Sequence, residues 1–523
     1  MPSVIELQSC QSIHPDFKMA GPVSLSIGRG ECVALVGANG SGKSKLVDML
    51  LGGHPLCAGT RSYDFSPRSN PSVSANIKYL EFRDITTGSE YYQQRWNQSD
   101  VETSPFVREL FDEACRKAVR EFAGIAVYDS FLMRDETPQQ KREREDREAF
   151  AMERAREELS GIRKSLESIF PLQELLDKRI VLLSSGESRK FQIARTLLAN
   201  PRVFICDGPF VGLDAGARSD FNAFLSNLSH RQDFNLVLVL SREDEIPPYV
   251  THVIPVRESR VLPKVRREDY VPVQETGGLP RCIRDEIIAL PLKPSTYDSE
   301  CAIVLRNVCI RYGSRVILED LNLTVRKGES WAIKGANGSG KTTLLSLING
   351  DNPQSYANDI ELFGRSRGSG ESIWDIKRHI GFVSPEMHRF FLKDITVLDT
   401  VAGGLSDALG RFREHSEEEL DTCRFWLHVF GIEHLARKSF IHVSTGEQRL
   451  ALLARAFVKD PELLILDEPL HALDSSNRAR VRDIVDVFCR REGKTLLTVT
   501  HYDDELPSCI NHCITLQRRE SRP

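Results

Sequence analysis

Apolar residues along this chain follow a pattern that occurs twice, once in each half. In each half a strand and a hairpin-like segment ending in Gly-Glu precede a short apolar run, a glycine-rich stretch and then apolar residues at helical spacing. The first copy comprises strands at 5–7 and 32–36 and a helix with Leu46, Val47, Met49 and Leu50, and the second comprises strands at 303–305 and 331–333 and a helix with Leu344, Leu345, Leu347 and Ile348. The alternation predicts an α/β fold, and the repeat predicts two such domains in tandem.

The glycine-rich stretch has nearly the same sequence in both halves. It consists of Gly37, Ala38, Asn39, Gly40, Ser41, Gly42, Lys43 and Ser44 in the first half, and of Gly335, Ala336, Asn337, Gly338, Ser339, Gly340, Lys341 and Thr342, followed by Thr343, in the second. Glycines let the backbone wrap around phosphates, so that its N–H groups and the N-terminus of the following helix point at them. The lysines would reach the β- and γ-phosphates, and the hydroxyls of Ser44 and Thr342 would bind Mg²⁺. The loops therefore predict two sites for ATP with Mg²⁺.

Composition narrows the class of protein. The 523 residues suit two domains, and 41% hydrophobic with 27% charged residues indicates ordinary cores and a polar surface. A net charge of −5 gives no reason to expect nucleic acid as a partner. We find no apolar run of about 18 residues that would span a membrane and no leader at the N-terminus. We therefore expect a cytoplasmic protein. A location in an organelle is not excluded, and peripheral association with a membrane is left open. The 12 cysteines are scattered, which suits a reducing compartment, and Cys509 and Cys513 are interpreted as parts of a C-terminal strand.

The two halves differ in one long insertion. It falls at about 87–172 and includes a charged run at 141–148, followed by Met152, Ala155, Leu159, Ile162, Leu166 and Ile169 at helical spacing. This pattern predicts a long amphipathic helix, either a solvated cap on the first domain or a docking surface for a partner. A stretch rich in Pro and Gly at 266–299 is interpreted as a linker that packs into neither domain. The predicted boundaries are 1–265 for the first domain, 266–299 for the linker and 300–523 for the second domain.

A second short motif follows the phosphate loop in each half. It includes Ser184, Ser185, Gly186 and Glu187 in the first half, and Ser444, Thr445, Gly446 and Glu447 in the second. A strand ending in Asp207 or Asp467 comes next, and a Leu-Asp turn follows it. This order of motifs resembles the ATP-binding-cassette (ABC) ATPases over nearly the whole chain. The resemblance implies two P-loop domains, each with a mixed β core, an antiparallel β subdomain and a helical subdomain.

The resemblance also implies roles for individual residues. In the family two cassettes pack head to tail, and each ATP lies between the phosphate loop of one and the signature of the other. Site two would then combine Lys341, Thr342 and Asp467 with Ser184 and Gly186, and site one would combine Lys43, Ser44 and Asp207 with Ser444 and Gly446. Asp467 and Asp207 would hold Mg²⁺. In site two, Glu468 would polarise the attacking water, His501 would touch the γ-phosphate, and Tyr312 would stack on adenine.

Site one departs from the family pattern at three of these positions. Gly208 stands in place of the glutamate, Arg242 in place of the histidine and His14 in place of the aromatic residue. Loss of a positioned base costs a factor of about 10²–10⁴ in rate. We therefore expect site one to bind ATP and to hydrolyse it slowly or not at all.

The family's glutamine after the next strand is absent in both halves, where Glu81-Phe82 and Ser384-Pro385 are found. This absence argues against coupling to a transporter membrane subunit. Residues 349–384 resemble the ModF-like twin-cassette ATPases more narrowly. The leading hypothesis is an ATPase that acts as an ATP-driven switch on an unknown protein client. The alternatives are the energy subunit of a molybdate-type importer, an ABC-F-like translation factor and a non-enzymatic nucleotide-gated scaffold.

Overall fold

The computed structural model describes most of the chain. The described residues are 3–66, 71–82, 104–123, 138–169, 172–180, 183, 185–211, 213, 215–231, 233–272, 278–292, 297–312, 315–336, 338–391, 394–407, 414–471, 473–500 and 502–517. The chain divides into two compact units, unit 1 with Met1–Gly37 and Ser41–Pro272, and unit 2 with Ala38–Gly40 and Val273–Pro523. No helix among the described residues is both long enough and apolar enough to cross a membrane.

Unit 1 contains two sheets with helices beside them. Its strands are β1 (Ser3–Ser12), β2 (Val23–Gly28), β3 (Cys32–Val36), β4 (Leu56–Tyr63), β5 (Ile77–Glu81), β6 (Val203–Asp207), β7 (Asn235–Leu240), β8 (His252–Arg257), β9 (Arg260–Val261) and β10 (Val265–Arg266). Its helices are α1 (Lys43–Leu51), α2 (Val73–Asn76), α3 (Val107–Phe122), α4 (Pro138–Ile169), α5 (Leu172–Leu176), α6 (Ser185–Leu197) and α7 (Ala215–Ser229). The antiparallel sheet has the order β2-β1-β4, and the mixed sheet has the order β10-β8-β3-β7-β6-β5 with β9 beside β8.

Unit 2 repeats this plan. Its strands are β11 (Cys301–Tyr312), β12 (Arg315–Arg326), β13 (Ser330–Lys334), β14 (Asp359–Leu362), β15 (Arg365–Ser366), β16 (Ile380–Val383), β17 (Leu463–Asp467), β18 (Thr495–Val499) and β19 (His512–Thr515). Its helices are α8 (Arg281–Ile288), α9 (Lys341–Ile348), α10 (Ile373–Lys377), α11 (Pro385–Phe390), α12 (Val397–Ala402), α13 (Glu417–Val429), α14 (Thr445–Phe457) and α15 (Ser475–Cys489). The antiparallel sheet has the order β12-β11-β14-β15, and the parallel sheet has the order β16-β17-β18-β13-β19.

The central strands bring the motifs to one edge of each parallel sheet. In unit 2, β13 and β17 both pair with β18 in parallel, so the carboxyl ends of all three strands lie at the same edge. The phosphate loop follows β13, and Asp467 ends β17. Strands such as β17 are buried along their whole length, as expected for a parallel sheet covered on both faces. In unit 1 the corresponding arrangement is β3, β7 and β6.

The insertion in the first half contains the helix that its pattern predicts. Helix α4 spans Pro138–Ile169, and Ala155, Leu159, Ile162 and Leu166 are buried in the core of unit 1. The charged residues around 146–150 that the structure describes are exposed. The amphipathic helix is therefore confirmed, while residues 87–103, 124–137 and 170–171 of the insertion lie outside the described residues.

The expectation that residues 266–299 pack into neither domain is wrong. Helix α8 lies within this segment, and Ile283 and Ile287 are buried in the helical core of unit 2. The Arg284 guanidinium pairs with Asp483 on α15 at 2.5 Å, and the Leu279 N–H donates to the same carboxylate at 2.9 Å. The apolar residues 279, 283 and 287 recur at helical spacing, which is the signal of an amphipathic helix that the many prolines and glycines obscured.

Candidate nucleotide-binding and hydrolysis site

The phosphate loop of unit 2 has a shape that only glycine allows at two positions. Gly335 has φ +148°, and a Cβ there would lie 2.5 Å from the Leu516 carbonyl oxygen. Gly340 has φ +96°, and a Cβ there would lie 2.8 Å from the Leu318 side chain. The loop therefore turns tightly between β13 and α9, as expected for a backbone that wraps around an anion.

Polar groups in this loop fit a nucleotide phosphate. The Lys341 ammonium is buried within the loop, where it donates to the carbonyl oxygens of Gly335 at 2.7 Å and Ala336 at 3.0 Å. The Ser339 hydroxyl is also buried and has no hydrogen-bond partner among the described residues. The Thr342 hydroxyl lies 3.5 Å from a carboxylate oxygen of Asp467, a pair of oxygen ligands that suits Mg²⁺. These residues fit ATP with Mg²⁺. Asn337 lies outside the described residues, and Thr343 follows on α9.

Glu468, the predicted catalytic carboxylate, lies directly after Asp467 on an unusual backbone. Its φ is +47°, in the left-handed region that most residues avoid. Its N–H donates to the Val499 carbonyl at 2.9 Å, which ties it to the end of β18. A non-glycine residue keeps a left-handed backbone only where contacts with the surrounding structure enforce it. The hydrogen bond to Val499 is one such contact.

Arg449 fixes the backbone around Glu468 through hydrogen bonds to its carbonyl groups. It is 1% exposed and lies on α14, the helix that follows the signature motif. Its guanidinium donates to the carbonyl oxygens of Ser384 at 2.9 Å, Asp467 at 2.9 Å and Glu468 at 2.7 Å. One buried cation therefore bonds carbonyls of two separate segments, one after β16 and one at the end of β17, and joins the helix that follows the signature motif to the strand that ends in Asp467.

His471 is a functional candidate that the sequence analysis did not identify. Its Nδ1 lies 3.1 Å from Glu468 Oε2, and its side chain is 9% exposed. The only sequence signal was a polar ring on the turn between Glu468 and the Leu-Asp pair at 473–474, where an apolar residue stands in the first half.

The signature motif of unit 2 forms the N-terminus of α14. Ser444 is the N-cap, and its hydroxyl accepts a hydrogen bond from the Glu447 N–H at 3.4 Å, while the Ser444 N–H donates to the Glu447 carboxylate at 2.8 Å. This reciprocal capping box orients the helix N-terminus. Thr445 at the first helical position is exposed, and Gly446 follows it. The arrangement leaves a helix N-terminus of the kind that attracts anions.

The corresponding part of unit 1 is described only in part. Ser184 lies outside the described residues, and of Ser185 and Gly186 the structure describes only the backbone at the start of α6. The Glu187 carboxylate pairs with Lys178 at 2.6 Å.

The phosphate loop between β3 and α1 has the same construction as the loop between β13 and α9. A Cβ on Gly37 would overlap the Val256 carbonyl, and Gly42 has φ +101°. The buried Lys43 ammonium donates to the Gly37 carbonyl at 2.6 Å, and the buried Ser41 hydroxyl has no hydrogen-bond partner among the described residues. This loop therefore also fits a phosphate. Ala38, Asn39 and Gly40 lie within the loop, and Ser44 is exposed on α1.

Unit 1 differs from unit 2 in the side chains around Asp207, the predicted metal ligand. Asp207 accepts a hydrogen bond from the Tyr79 hydroxyl at 3.0 Å, where unit 2 has Phe382 on the matching strand. Gly208 has φ +62°, so it keeps the left-handed conformation of Glu468 without a carboxylate. Arg242 donates to Asp244 through Nε at 2.9 Å and lies 3.4 Å from Glu245.

The two positions predicted to stack on adenine also differ. The Tyr312 ring in unit 2 is half-buried, its hydroxyl accepts from the Asn352 amide at 3.0 Å, and burial raises the pKa of the phenol. In unit 1 His14 lies in a group of rings, 5.4 Å from Phe17 and 4.7 Å from His54 between ring centroids. His501, the predicted γ-phosphate contact of unit 2, lies outside the described residues.

Comparison with known proteins agrees with this fold. The protein family described as "ABC transporter" matches residues 20–211 and 318–471, one region in each unit. The chain therefore belongs to the ABC ATP-binding family, whose members bind and hydrolyse ATP, and it carries two tandem copies of the ABC domain.

The chain is similar over nearly its whole length to other twin-domain members. It is 35% identical to the ABC transporter ATP-binding protein ModF of Escherichia coli (strain K12), covering 97% of this chain and 96% of that protein. It is 28% identical to an uncharacterized ABC transporter ATP-binding protein of Schizosaccharomyces pombe, covering 98% of this chain and 97% of that protein. A solved structure of archaeal ribosome recycling factor aABCE1, in complex with the ribosomal stalk protein aP1, matches with a TM-score of 0.50 at 18% identity over 97% of this chain and 87% of that chain. That likeness concerns the fold.

Proposed function

We propose that this protein is a Mg²⁺-dependent ATPase with unequal sites, in which unit 2 carries the hydrolytic machinery and unit 1 binds nucleotide with slow turnover or none. The observation that carries the proposal is the contrast between Glu468 and Gly208. Both follow the strand-ending aspartate and share a left-handed backbone, but only Glu468 has a carboxylate.

In the competent site each residue has a distinct task. ATP bound with Mg²⁺ supplies a γ-phosphorus open to attack by water, with the metal neutralising charge on the phosphate oxygens. The Lys341 ammonium, which lies in the loop, would hold the β- and γ-phosphates, and Thr342 and Asp467 would hold the metal. Glu468 would orient the attacking water and accept its proton. Tyr312 would stack on adenine, and His501 would contact the γ-phosphate.

The proposal includes the composite sites expected from the family resemblance. Ser184 and Gly186 would complete the site of Lys341, and Ser444 and Gly446 would complete the site of Lys43. Binding of ATP would then favour a closed state and hydrolysis an open one, so that the protein acts as a switch on a protein client.

The test is the steady-state ATPase rate of the full chain with Glu468→Gln. We expect a loss of about 10²–10⁴-fold with ATP binding retained, because the variant keeps the size of the side chain and removes the base. Glu418→Gln, at an exposed glutamate on α13 of the same unit, is the matched control and should keep full activity. If most activity survives in Glu468→Gln, the assignment of the hydrolytic site is wrong.

The nucleotide retained after turnover tests the inequality of the sites. After a single round of hydrolysis and rapid removal of free nucleotide, we expect ATP and ADP in about equal amounts, with ATP held by unit 1. Lys43→Ala should remove the retained ATP, and Lys341→Ala should remove the ADP. Retention of ADP alone would contradict the proposal, because it would mean that unit 1 either hydrolyses its ATP or does not hold it.

Capture of partners by the Glu468→Gln variant in the presence of ATP tests which molecule the switch acts on. We expect a protein client that is lost when ATP is replaced by ADP. Recovery of a membrane permease would instead support the importer alternative, and recovery of ribosomes would support the translation-factor alternative.

A further inference from the structure

The segment after the catalytic strand forms the same turn in both units. In unit 2 the His471 N–H donates to the Glu468 carbonyl at 3.1 Å, and in unit 1 the Val211 N–H donates to the Gly208 carbonyl at 3.3 Å. The first residue of each turn also donates its N–H to the carbonyl of a neighbouring strand. In unit 2 the Glu468 N–H donates to the Val499 carbonyl at 2.9 Å, and in unit 1 the Gly208 N–H donates to the Val239 carbonyl at 3.0 Å. The backbone is therefore held alike, and the difference between the units lies in the side chains.

This turn brings its first and last side chains together. In unit 1 a Cβ added to Gly208 would lie 3.3 Å from Val211 Cγ2. In unit 2 the same two positions carry Glu468 and His471, whose Oε2 and Nδ1 are 3.1 Å apart. An ionised carboxylate can only accept a hydrogen bond, so Nδ1 carries the hydrogen that is shared. The contact is well shielded, with the histidine 9% and the glutamate 22% exposed.

We propose that His471 is a positioning residue for hydrolysis, which donates from Nδ1 to one carboxylate oxygen of Glu468 and leaves the other oxygen aimed at the attacking water. This inference rests on the proposed function of Glu468. The backbone of Glu468 is already fixed by Arg449 and Val499, whereas rotation about the side-chain bonds of glutamate is restrained by neither. A catalytic group misplaced by about 1 Å can cost as much as about 100-fold in rate, so a contact that removes this freedom matters to turnover.

Two substitutions of His471 separate positioning from packing. The amide nitrogen of asparagine can lie near the place of Nδ1, whereas that of glutamine lies near the place of Nε2. We expect His471→Ala and His471→Gln to lower kcat about 10-fold or more with little change in KM for ATP, and His471→Asn to restore most of the rate. His434→Ala, at an exposed histidine of the same unit, is the matched control and should have no effect. Thermal unfolding of each variant shows whether a loss of rate follows from a loss of folded protein.

A double variant tests whether His471 acts through Glu468. In the Glu468→Gln background, His471→Ala should leave the residual rate unchanged, because the group that it positions is gone. A further loss in that background, a full rate in His471→Ala, or equal losses in the asparagine and glutamine variants would each overturn the inference while leaving the proposed ATPase function in place. A wild-type protein without ATPase activity would instead overturn the proposed function itself.

Discussion

Glu468 combines the proposed catalytic carboxylate with a backbone conformation that glycine adopts more easily. Its φ is +47°, and the equivalent Gly208 has φ +62°. We therefore predict that Glu468→Gly and Glu468→Ala abolish hydrolysis alike but differ in stability. Both variants lose the carboxylate and its contact with His471, so the comparison between them isolates the cost of the left-handed backbone.

The expected size follows from two opposing effects. A residue with a side chain in the left-handed region lowers the free energy of unfolding by about 1–2 kcal/mol relative to glycine. Glycine lowers it by about 0.4–1 kcal/mol relative to alanine, because the unfolded chain has more conformational freedom. Glu468→Gly should therefore be more stable than Glu468→Ala by about 1 kcal/mol, the difference between these two figures. In unit 1, Gly208→Ala should lose about 1 kcal/mol or slightly more, because its new Cβ would lie 3.3 Å from Val211 Cγ2.

Hydrogen exchange measured by mass spectrometry reads the two units separately. A peptide that contains Leu463–Asp467 reports on unit 2, and one that contains Val203–Asp207 reports on unit 1. A difference of 1 kcal/mol corresponds to about a fivefold change in the exchange rate of amides that exchange through cooperative opening. We expect slower exchange in Glu468→Gly than in Glu468→Ala, and faster exchange in Gly208→Ala than in the wild type.

The control is a pair of substitutions at Glu418, which lies exposed on α13 with an ordinary helical backbone. There the order should reverse, with glycine less stable than alanine, because glycine loses more conformational freedom when it adopts a helical backbone. Equal exchange in the two Glu468 variants, or the same order at Glu468 and Glu418, would refute the reasoning from backbone conformation.

Three further predictions concern the rest of the site. Arg449→Ala should destabilise unit 2 by about 3 kcal/mol or more, since it removes hydrogen bonds from a buried charged group that are worth about 1.5–3 kcal/mol each. Arg437→Ala, at an exposed arginine, should have little effect, and urea unfolding measures both. Tyr312→Ala should weaken ATP binding to unit 2 by about 1–3 kcal/mol, whereas Tyr312→Phe should not, because phenylalanine keeps the ring that stacks. Binding of a fluorescent ATP analogue measures both, and equal weakening in the two variants would argue against stacking. Ser184→Arg should lower ATPase turnover more than Ser444→Arg, because the family resemblance assigns Ser184 to the hydrolytic site, and the opposite order would contradict that assignment.

Local sequence was sufficient to predict the phosphate loops and the strands around them. Each loop lies between an apolar strand and an amphipathic helix, and this information is contiguous in the chain. Asp467 was also predictable, since it ends a run of buried apolar residues. The loops and the strand ends meet because parallel strands present their carboxyl ends at one edge of a sheet.

Contacts between distant segments could not be predicted in this way. The four carbonyls bound by Arg449 belong to residues 384, 467, 468 and 469, and only the folded chain brings residue 384 and residues 467–469 to one guanidinium. The docking of α8 on α15 through Arg284 and Asp483 is another such contact. The left-handed backbone of Glu468 has no local sequence signal either, because it arises from the turn that ties the residue to Val499.

The site of unit 1 differs from that of unit 2 at several neighbouring side chains and not only at Gly208. A carboxylate placed at position 208 would meet the apolar Val211, where Glu468 has the imidazole of His471. Asp207, the proposed metal ligand of unit 1, would still accept a hydrogen bond from the Tyr79 hydroxyl, which has no counterpart in unit 2 because phenylalanine stands at the matching position. Arg242 would still be paired with acidic neighbours instead of presenting an imidazole. Since groups that act as a unit contribute in a strongly non-additive way, replacing Gly208 by glutamate should restore little hydrolysis until these neighbours are changed with it.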